Sequence, residues 1–417
     1  MWIMGRASSS GTTNLSDQKS TGEKLAEPIQ NQPSILHLSA YERWGKAGYG
    51  LILTGNVQVD GRFLGDTGDV VAPPLNNPSV MGIWTEWANR AQASGTPALV
   101  RLCHAGRQSA VGNGTHGFFD KTMAPSVVPL DFGSGIITIL LRCLIFGIPR
   151  EMTQADITDT VQMFVNGAKV AERAEFRGGR TAWCTWIPHQ SIPITKGAKI
   201  HDFGIEIIHG IRKAVSPDFI LGIKLNSADY QHGGLSEDEV YGQIEAITSY
   251  GVDFVEISGG TYENPKSYHG SVQPTKTSTP TSTPYQSSHR SSREVLFLDF
   301  AVKVRERLPH VPLLVTGGFR SRTAIRDAIT SGACDMVGVA RPATILPEFP
   351  QMIMDPTIPD NIAVCTTYSV TGGGIKRKLP IKSIGADLSS LWHSLQIRRF
   401  AQGLEPNLSM TIEELQK

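Results

Sequence analysis

Residues 311–342 read VPLLVTGGFRSRTAIRDAITSGACDMVGVARP and hold the clearest chemical signal in the chain. Two adjacent glycines, Gly317 and Gly318, end one apolar run, and Arg341 follows a second. Adjacent glycines let backbone N–H groups approach an anion, a helix N-terminus adds a favourable dipole, and a guanidinium supplies a forked cation. That chemistry suits a phosphate. A tight turn after a buried strand, followed by a surface arginine, is the other reading of the same residues, and the local pattern does not separate the two.

The elements that position these residues can be read outward from them. Pro312–Thr316 and Asp335–Val339 are short apolar runs rich in β-branched residues, so buried strands are expected. Between them Ser321 is placed to cap a helix running through Ile325 and Ala328 to about Ser331, with Gly332 closing it. Ligands of parallel α/β folds sit at the carboxyl ends of strands, and barrels commonly hold phosphate after strands seven and eight.

Further strands are expected at 50–57, 97–103, 219–225 and 252–258. Helices are expected at 35–48, with Ile35, Leu38, Tyr41 and Trp44 on one face, at 78–95 with a Trp84, Trp87 and Ala91 stripe read as core, and at 203–215, 236–250, 296–307 and 388–404. Thr153 and Asp156 have capping-box spacing before a helix whose Ile157, Val161, Phe164, Ala168 and Ala171 share a face. Residues 105–150 form a long irregular insertion, and 262–292, rich in Ser, Thr and Pro, read as a flexible loop. Six strands separated by helices indicate a parallel α/β architecture. A closed (β/α)8 TIM barrel needs eight, and the two absent strands fall before residue 34 and near 177–195. The fold expected is a (β/α)8 barrel incomplete or distorted at strands 1 and 4. It divides as a poorly ordered arm at 1–34, the barrel at 35–346, and an extension with a helix at 347–417.

The chain has 417 residues, 40% hydrophobic and 18% charged, enough for a large barrel. A net charge of +1 gives no electrostatic case for nucleic acid. Five cysteines without CxxC or metal-ligand spacing read as reduced thiols, and MWIMGRASSS lacks the apolar core of a signal peptide, so a cytoplasmic location is expected. Ile136–Ile148 is the most apolar window, but Arg142 interrupts it and it falls short of the roughly 20 residues of a span. It is expected to be a loop or buried segment, with no membrane partner.

Taken together, YERWGKAGYGLILTGNVQVD, HAGRQ, REMTQADI, ILGIKLNSADY, VEISGGTYE and VTGGFRSRTAI…VGVARP occur in a fixed order over most of 35–342. The ordered set resembles the Old Yellow Enzyme family of NADH:flavin oxidoreductases, in its fungal branch, and the tail LWHSLQIRRFAQGLEPNLS is also similar. The resemblance implies a barrel that holds FMN non-covalently, takes hydride from NADH or NADPH, and reduces an activated alkene such as an enone, or another small-molecule acceptor. It implies that Gly317, Gly318, Phe319, Gly338, Ala340 and Arg341 surround the FMN phosphate, that Lys224 lies near the flavin N1–C2=O edge, and that Gly55 makes a backbone contact beside the ring. Taken on their own residues, Lys224 is a strand-end surface lysine and Gly55 a turn. His104 reads as a structural histidine and Arg107 as a residue that fixes the long loop.

Three departures stand out. Arg101 replaces the family's flavin-binding Gln, and an arginine donates to a carbonyl but cannot accept from flavin N3–H. After Phe176 the chain runs RGGRTAWCTWIPHQ, without positions matching the family's substrate-binding His pair and its Tyr, so no catalytic residue is assigned; His189, His201 and His209 lie out of context. The family's first strand is replaced within residues 1–24. An altered reading frame, a retained intron, a lost exon or a diverged paralogue would each give such boundaries. The readings are an FMN-dependent oxidoreductase, or a non-catalytic flavin- or phosphate-ligand-binding paralogue. A third is an interaction protein that recruits a partner through the Ser/Thr/Pro loop. The sequence leaves the oligomeric state open.

Overall fold

All six strands expected from the sequence form, and two further strands complete the barrel. The computed structural model describes residues 2–5, 23–117, 120–130, 135–182, 194–226, 237–258, 292–366 and 384–410. The strands are β1 (Trp2–Gly5), β2 (Ile52–Gln58), β3 (Ala98–Cys103), β4 (Gly178–Ala182), β5 (Ile220–Asn226), β6 (Phe254–Ser258), β7 (Leu313–Thr316) and β8 (Met336–Val339). Neighbours from β2 to β8 are parallel. β1 runs antiparallel between β8 and β2, pairing Trp2 with Val339 on one side and Ile52 on the other. The ladder thus returns on itself as a ring of eight, distorted by one reversed strand.

The first absent strand is replaced by a four-residue one, too short for a period to be read. β4 lies in the irregular stretch, and its glycines explain both its position and its poor signal. A Cβ on Gly178 would stand 2.1 Å from the Ile220 carbonyl oxygen, so the strand passes β5 too closely for a side chain. A residue without a side chain cannot contribute to a hydrophobic run.

Seven helices follow the strands: α1 (Ile35–Gly45), α2 (Pro78–Ala91), α3 (Gln154–Arg173), α4 (Ile194–Ala214), α5 (Glu237–Ser249), α6 (Ser292–Arg307) and α7 (Arg322–Thr330). A last helix, α8 (Ile384–Ala401), packs on α1 and on the short helix Arg341–Ile345. The expected capping box opens α3, with Asp156 N–H donating to Thr153 Oγ1 at 3.2 Å and Thr153 N–H donating to Asp156 Oδ2 at 2.8 Å. Trp44, Trp84 and Trp87 are fully buried, as the core reading of the Trp stripe requires. Within the expected loose arm Leu25 is buried in the core, whereas residues 28–30 are exposed.

Strand alternation divides the interior. Val100, Ile223, Val255 and Val315 face the helices, whereas Leu51, Leu53, Leu99, Phe254 and Leu314 meet inside the ring as an apolar floor. Each such side chain contributes about 1.5–3 kcal/mol on burial.

Residues 136–145 depart from the sequence reading. They form neither loop nor buried segment but an exposed helix, Ile136–Ile145, with Ile136, Leu140 and Leu144 open to solvent at helical spacing. Among the described residues no helix is long and apolar enough to cross a membrane. Cys103, Cys143, Cys334 and Cys365 are free thiols. The expected Ser236 cap, the Gly259-Gly260 strand end, the 262–292 loop as far as residue 291, and His189 lie outside the described residues.

Candidate active site

Above the apolar floor the inner face of the barrel turns from hydrocarbon to charge. The residues two positions along from the floor leucines and phenylalanine share its face, and they include Arg101 on β3 and Glu256 on β6. β4 contributes Arg180, which sits opposite Arg101 in register, and β5 contributes Lys224, opposite Glu256. All four side chains are buried, with Arg180, Lys224 and Glu256 fully so.

Glu256 joins two of the three cations. Its Oε1 accepts from Lys224 Nζ at 2.8 Å, and its Oε2 is ion-paired with the Arg180 guanidinium. Arg101 Nε is buried and has no hydrogen-bond partner among the described residues. Lys224 is therefore an interior lysine and not the surface residue of the alternative reading. Sequence reasoning missed both Arg180 and Glu256. A signal was present in VDFVEIS, where Glu256, unlike Asp253, shares the period of Phe254 and falls level with Lys224 once β5 and β6 are aligned.

Gly317, Gly318 and Arg341 leave the barrel side by side, because Thr316 pairs with Gly338. The two glycines have φ of 144° and 93°, values that side chains rarely tolerate. Gly338 and Ala340 lie on β8 and just beyond it. Phe319 differs from its neighbours: its ring is buried in the outer core, so only its backbone can face a ligand. Ser321 caps α7 as expected, its Oγ accepting from Ala324 N–H at 3.3 Å. The tail covers part of that helix start, with Arg322 N–H donating to Ala363 O at 3.0 Å. α8 braces this end. Thr344 donates to Arg341 O at 2.9 Å and lies 2.6 Å from His393 Nδ1. Burial, then the charge of Arg341, pushes the His393 pKa down to about 3.

Gly55 sits at a bulge in β2, where the register with β3 shifts between Leu53 and Asn56. Its N–H is already engaged, donating to Tyr41 Oη at 2.9 Å and to Glu23 Oε1 at 3.0 Å. Tyr41 also bonds Glu23. Burial alone would raise the Glu23 pKa, but the bonds and charge of His37 and Tyr41 bring it down. Burial, then Glu23, raises that of Tyr41.

His104 is structural, as expected. Its Nδ1 accepts from Gly106 N–H at 2.9 Å, and its Nε2 lies 3.4 Å from Asp60 Oδ2. Burial lowers its pKa against the pull of Asp60. Arg107 fixes the insertion by donating to Val128 O and Pro129 O, each at 3.1 Å. His209 is exposed on α4 beside Tyr250. Among the described residues no group of His, Cys, Asp or Glu is arranged to hold a metal.

No family model matches the chain. It is 34% identical over 372 residues to the NADH-dependent flavin oxidoreductase iliE of Hypocrea jecorina, covering 86% of this chain and 90% of that protein. It is 36% identical over 329 residues to the NADH-dependent flavin oxidoreductase iccE of Talaromyces variabilis, covering 75% and 76%. Among solved structures, a complex of 2-naphthoyl-CoA reductase with 2-naphthoyl-CoA superposes with a TM-score of 0.67 at 17% identity. That match covers 85% of this chain and 52% of the reductase, and it bears on the fold alone.

Proposed function

The chain belongs to the Old Yellow Enzyme family of NADH-dependent flavin oxidoreductases, and on that premise we propose that it binds FMN across the carboxyl end of the barrel and passes hydride from NADH or NADPH to a small acceptor, an enone or another oxidant. The observation that carries this reading is the cation layer. Arg101, Arg180 and Lys224 are buried together with one strand carboxylate, Glu256, and Arg101 Nε has no partner among the described residues. A buried guanidinium nitrogen without a partner is costly unless an acceptor meets it.

The residues fit a flavin at two places and not at a third. Gly317, Gly318 and Arg341 offer open backbone and a guanidinium for the phosphate, with Gly338 and Ala340 at the same strand end. Lys224 and Arg101 offer donors for a carbonyl edge that gains negative charge. At Gly55 the fit fails, because a Cβ there would lie 2.6 Å from the Glu23 carboxyl group and the N–H is already donated to Tyr41 and Glu23. The Gly55 contact expected from the resemblance is therefore not carried forward.

Bound FMN would supply two-electron hydride chemistry, and the protein would supply orientation and electrostatics. Lys224, held by Glu256, stands ready to stabilise negative charge without moving. Arg101 donates to a carbonyl but leaves N3–H without an acceptor. The floor of Leu51, Leu53, Leu99, Phe254 and Leu314 excludes water from below and strengthens these fields.

A second reading, a flavin-binding protein with little alkene reduction, is favoured by one observation: β4 is GGRTA and brings neither His nor Tyr to the site. Purified protein separates the two. A flavin absorption band near 450 nm with NAD(P)H oxidation accelerated by an enone supports the oxidoreductase. A band with oxidation unaffected by the enone supports the second reading. A folded, colourless protein that cannot be reconstituted with FMN defeats both.

A further inference from the structure

We propose that Glu256 is a positioning residue that sets how much positive charge the barrel presents to its flavin. The inference rests on the FMN reading above and goes beyond it, because neither Glu256 nor Arg180 was expected to act there.

Among the described strand residues of the inner face, Glu256 is the sole carboxylate. It divides its two oxygens between two cations from different strands, Lys224 on β5 and Arg180 on β4. This sharing fixes the ammonium and guanidinium groups relative to each other. It also places a negative charge among the buried cations Lys224, Arg180 and Arg101. Fixed charges in a buried site are weakly screened, so each is felt strongly by a neighbouring group. Hydride transfer to a flavin adds one negative charge to its ring, which the layer stabilises more than it stabilises the neutral ring. The net charge of the layer therefore tilts the balance between oxidised and reduced cofactor. Glu256 holds that tilt down, and Arg180 pushes it up.

The two residues give a test of opposite sign. FMN-loaded wild type, Glu256→Gln and Arg180→Met are titrated to equilibrium with a reductant and a reference dye, and the midpoint potential of bound FMN is read for each. Apo-protein melting is recorded alongside. Loss of the carboxylate is expected to raise the potential, and loss of the guanidinium to lower it. Each shift should correspond to about a tenfold change in the ratio of reduced to oxidised binding, or roughly 30 mV for a two-electron couple.

A purely structural role would lower the melting temperature of both variants and leave both potentials at the wild-type value, which overturns the proposal. Shifts in the same direction overturn it too. If Glu256→Gln does not fold, Arg180→Met still decides the matter, since it leaves the bond between Lys224 and Glu256 in place. A wild type that takes up no FMN removes the functional reading and this inference together. A wild type that binds FMN, with variants of unchanged potential, removes only the role of Glu256.

Discussion

Arg101 and Arg180 stand opposite one another in register on β3 and β4, and both side chains are buried inside the barrel. Like charges directly opposed on neighbouring strands repel. Arg180 is ion-paired with Glu256, whereas Arg101 keeps a buried Nε unbonded among the described residues. The asymmetry makes Arg101 the side of the pair that a ligand would complete.

Arg101→Gln should therefore improve the pyrimidine edge of the site. Glutamine both donates and accepts, so it can receive the N3–H that arginine cannot. One added hydrogen bond is worth about 1 kcal/mol, or roughly fivefold in Kd. Fluorescence titration with FMN measures it; weaker binding would place Arg101 elsewhere on the ligand.

Arg341→Ala should discriminate between ligands with and without a phosphate. Loss of a charged hydrogen bond costs about 1.5–3 kcal/mol, so FMN binding should weaken about 10- to 100-fold while riboflavin binding is unchanged. An equal loss for both would mean that Arg341 supports the fold and does not grip phosphate.

Gly178→Ala tests whether β4 is seated as described. The new Cβ would stand 2.1 Å from a backbone oxygen of β5, which cannot yield as a flexible side chain can. Overpacking of this kind costs about 1–3 kcal/mol or more. Thermal denaturation should show a clear drop, and an unchanged transition would mean that the strand does not lie against Ile220.

Asp69 should give the protein a pH-dependent stability. Burial raises its pKa to about 7 despite hydrogen bonds from Gln58 and Asn56. An unfolded aspartate titrates near 4. The folded state therefore binds the proton more tightly, and this contribution to stability is fully present below about pH 4 and lost as pH rises through about 7. Melting temperatures between pH 4.5 and 8 should fall more steeply in the wild type than in Asp69→Asn. Parallel curves would place the titration on another group.

The sequence announced strands that carry their own hydrophobic runs, such as Ile220–Asn226 and Leu313–Thr316, and helices with long faces, such as Gln154–Arg173. It was silent where stability comes from neighbours. Gly178–Ala182 holds its place because adjacent strands surround it, and its glycines show only as irregular composition. Trp2–Gly5 has too few residues for a period. In the exposed helix Ile136–Ile145 hydrophobicity does not mean burial, and the helical spacing of its apolar residues is the better guide to its structure. In the site, Lys224 and Arg101 are legible through resemblance, whereas Glu256 emerges only once two strands are aligned, because it lies 32 residues from its partner Lys224. The engagement of the Gly55 N–H by Glu23 joins segments whose contact no local pattern reveals.

The reversed strand β1 has a bearing on how the ring could be opened. Without residues 2–5, β8 would present an unpaired edge, and so would the Ile52 end of β2, ahead of its parallel pairing with Val70–Val71. Open edges in that geometry accept an extended peptide as a substitute stave. The barrel is thus arranged for complementation in trans: a shortened chain and a synthetic copy of its first residues make a natural pair of fragments.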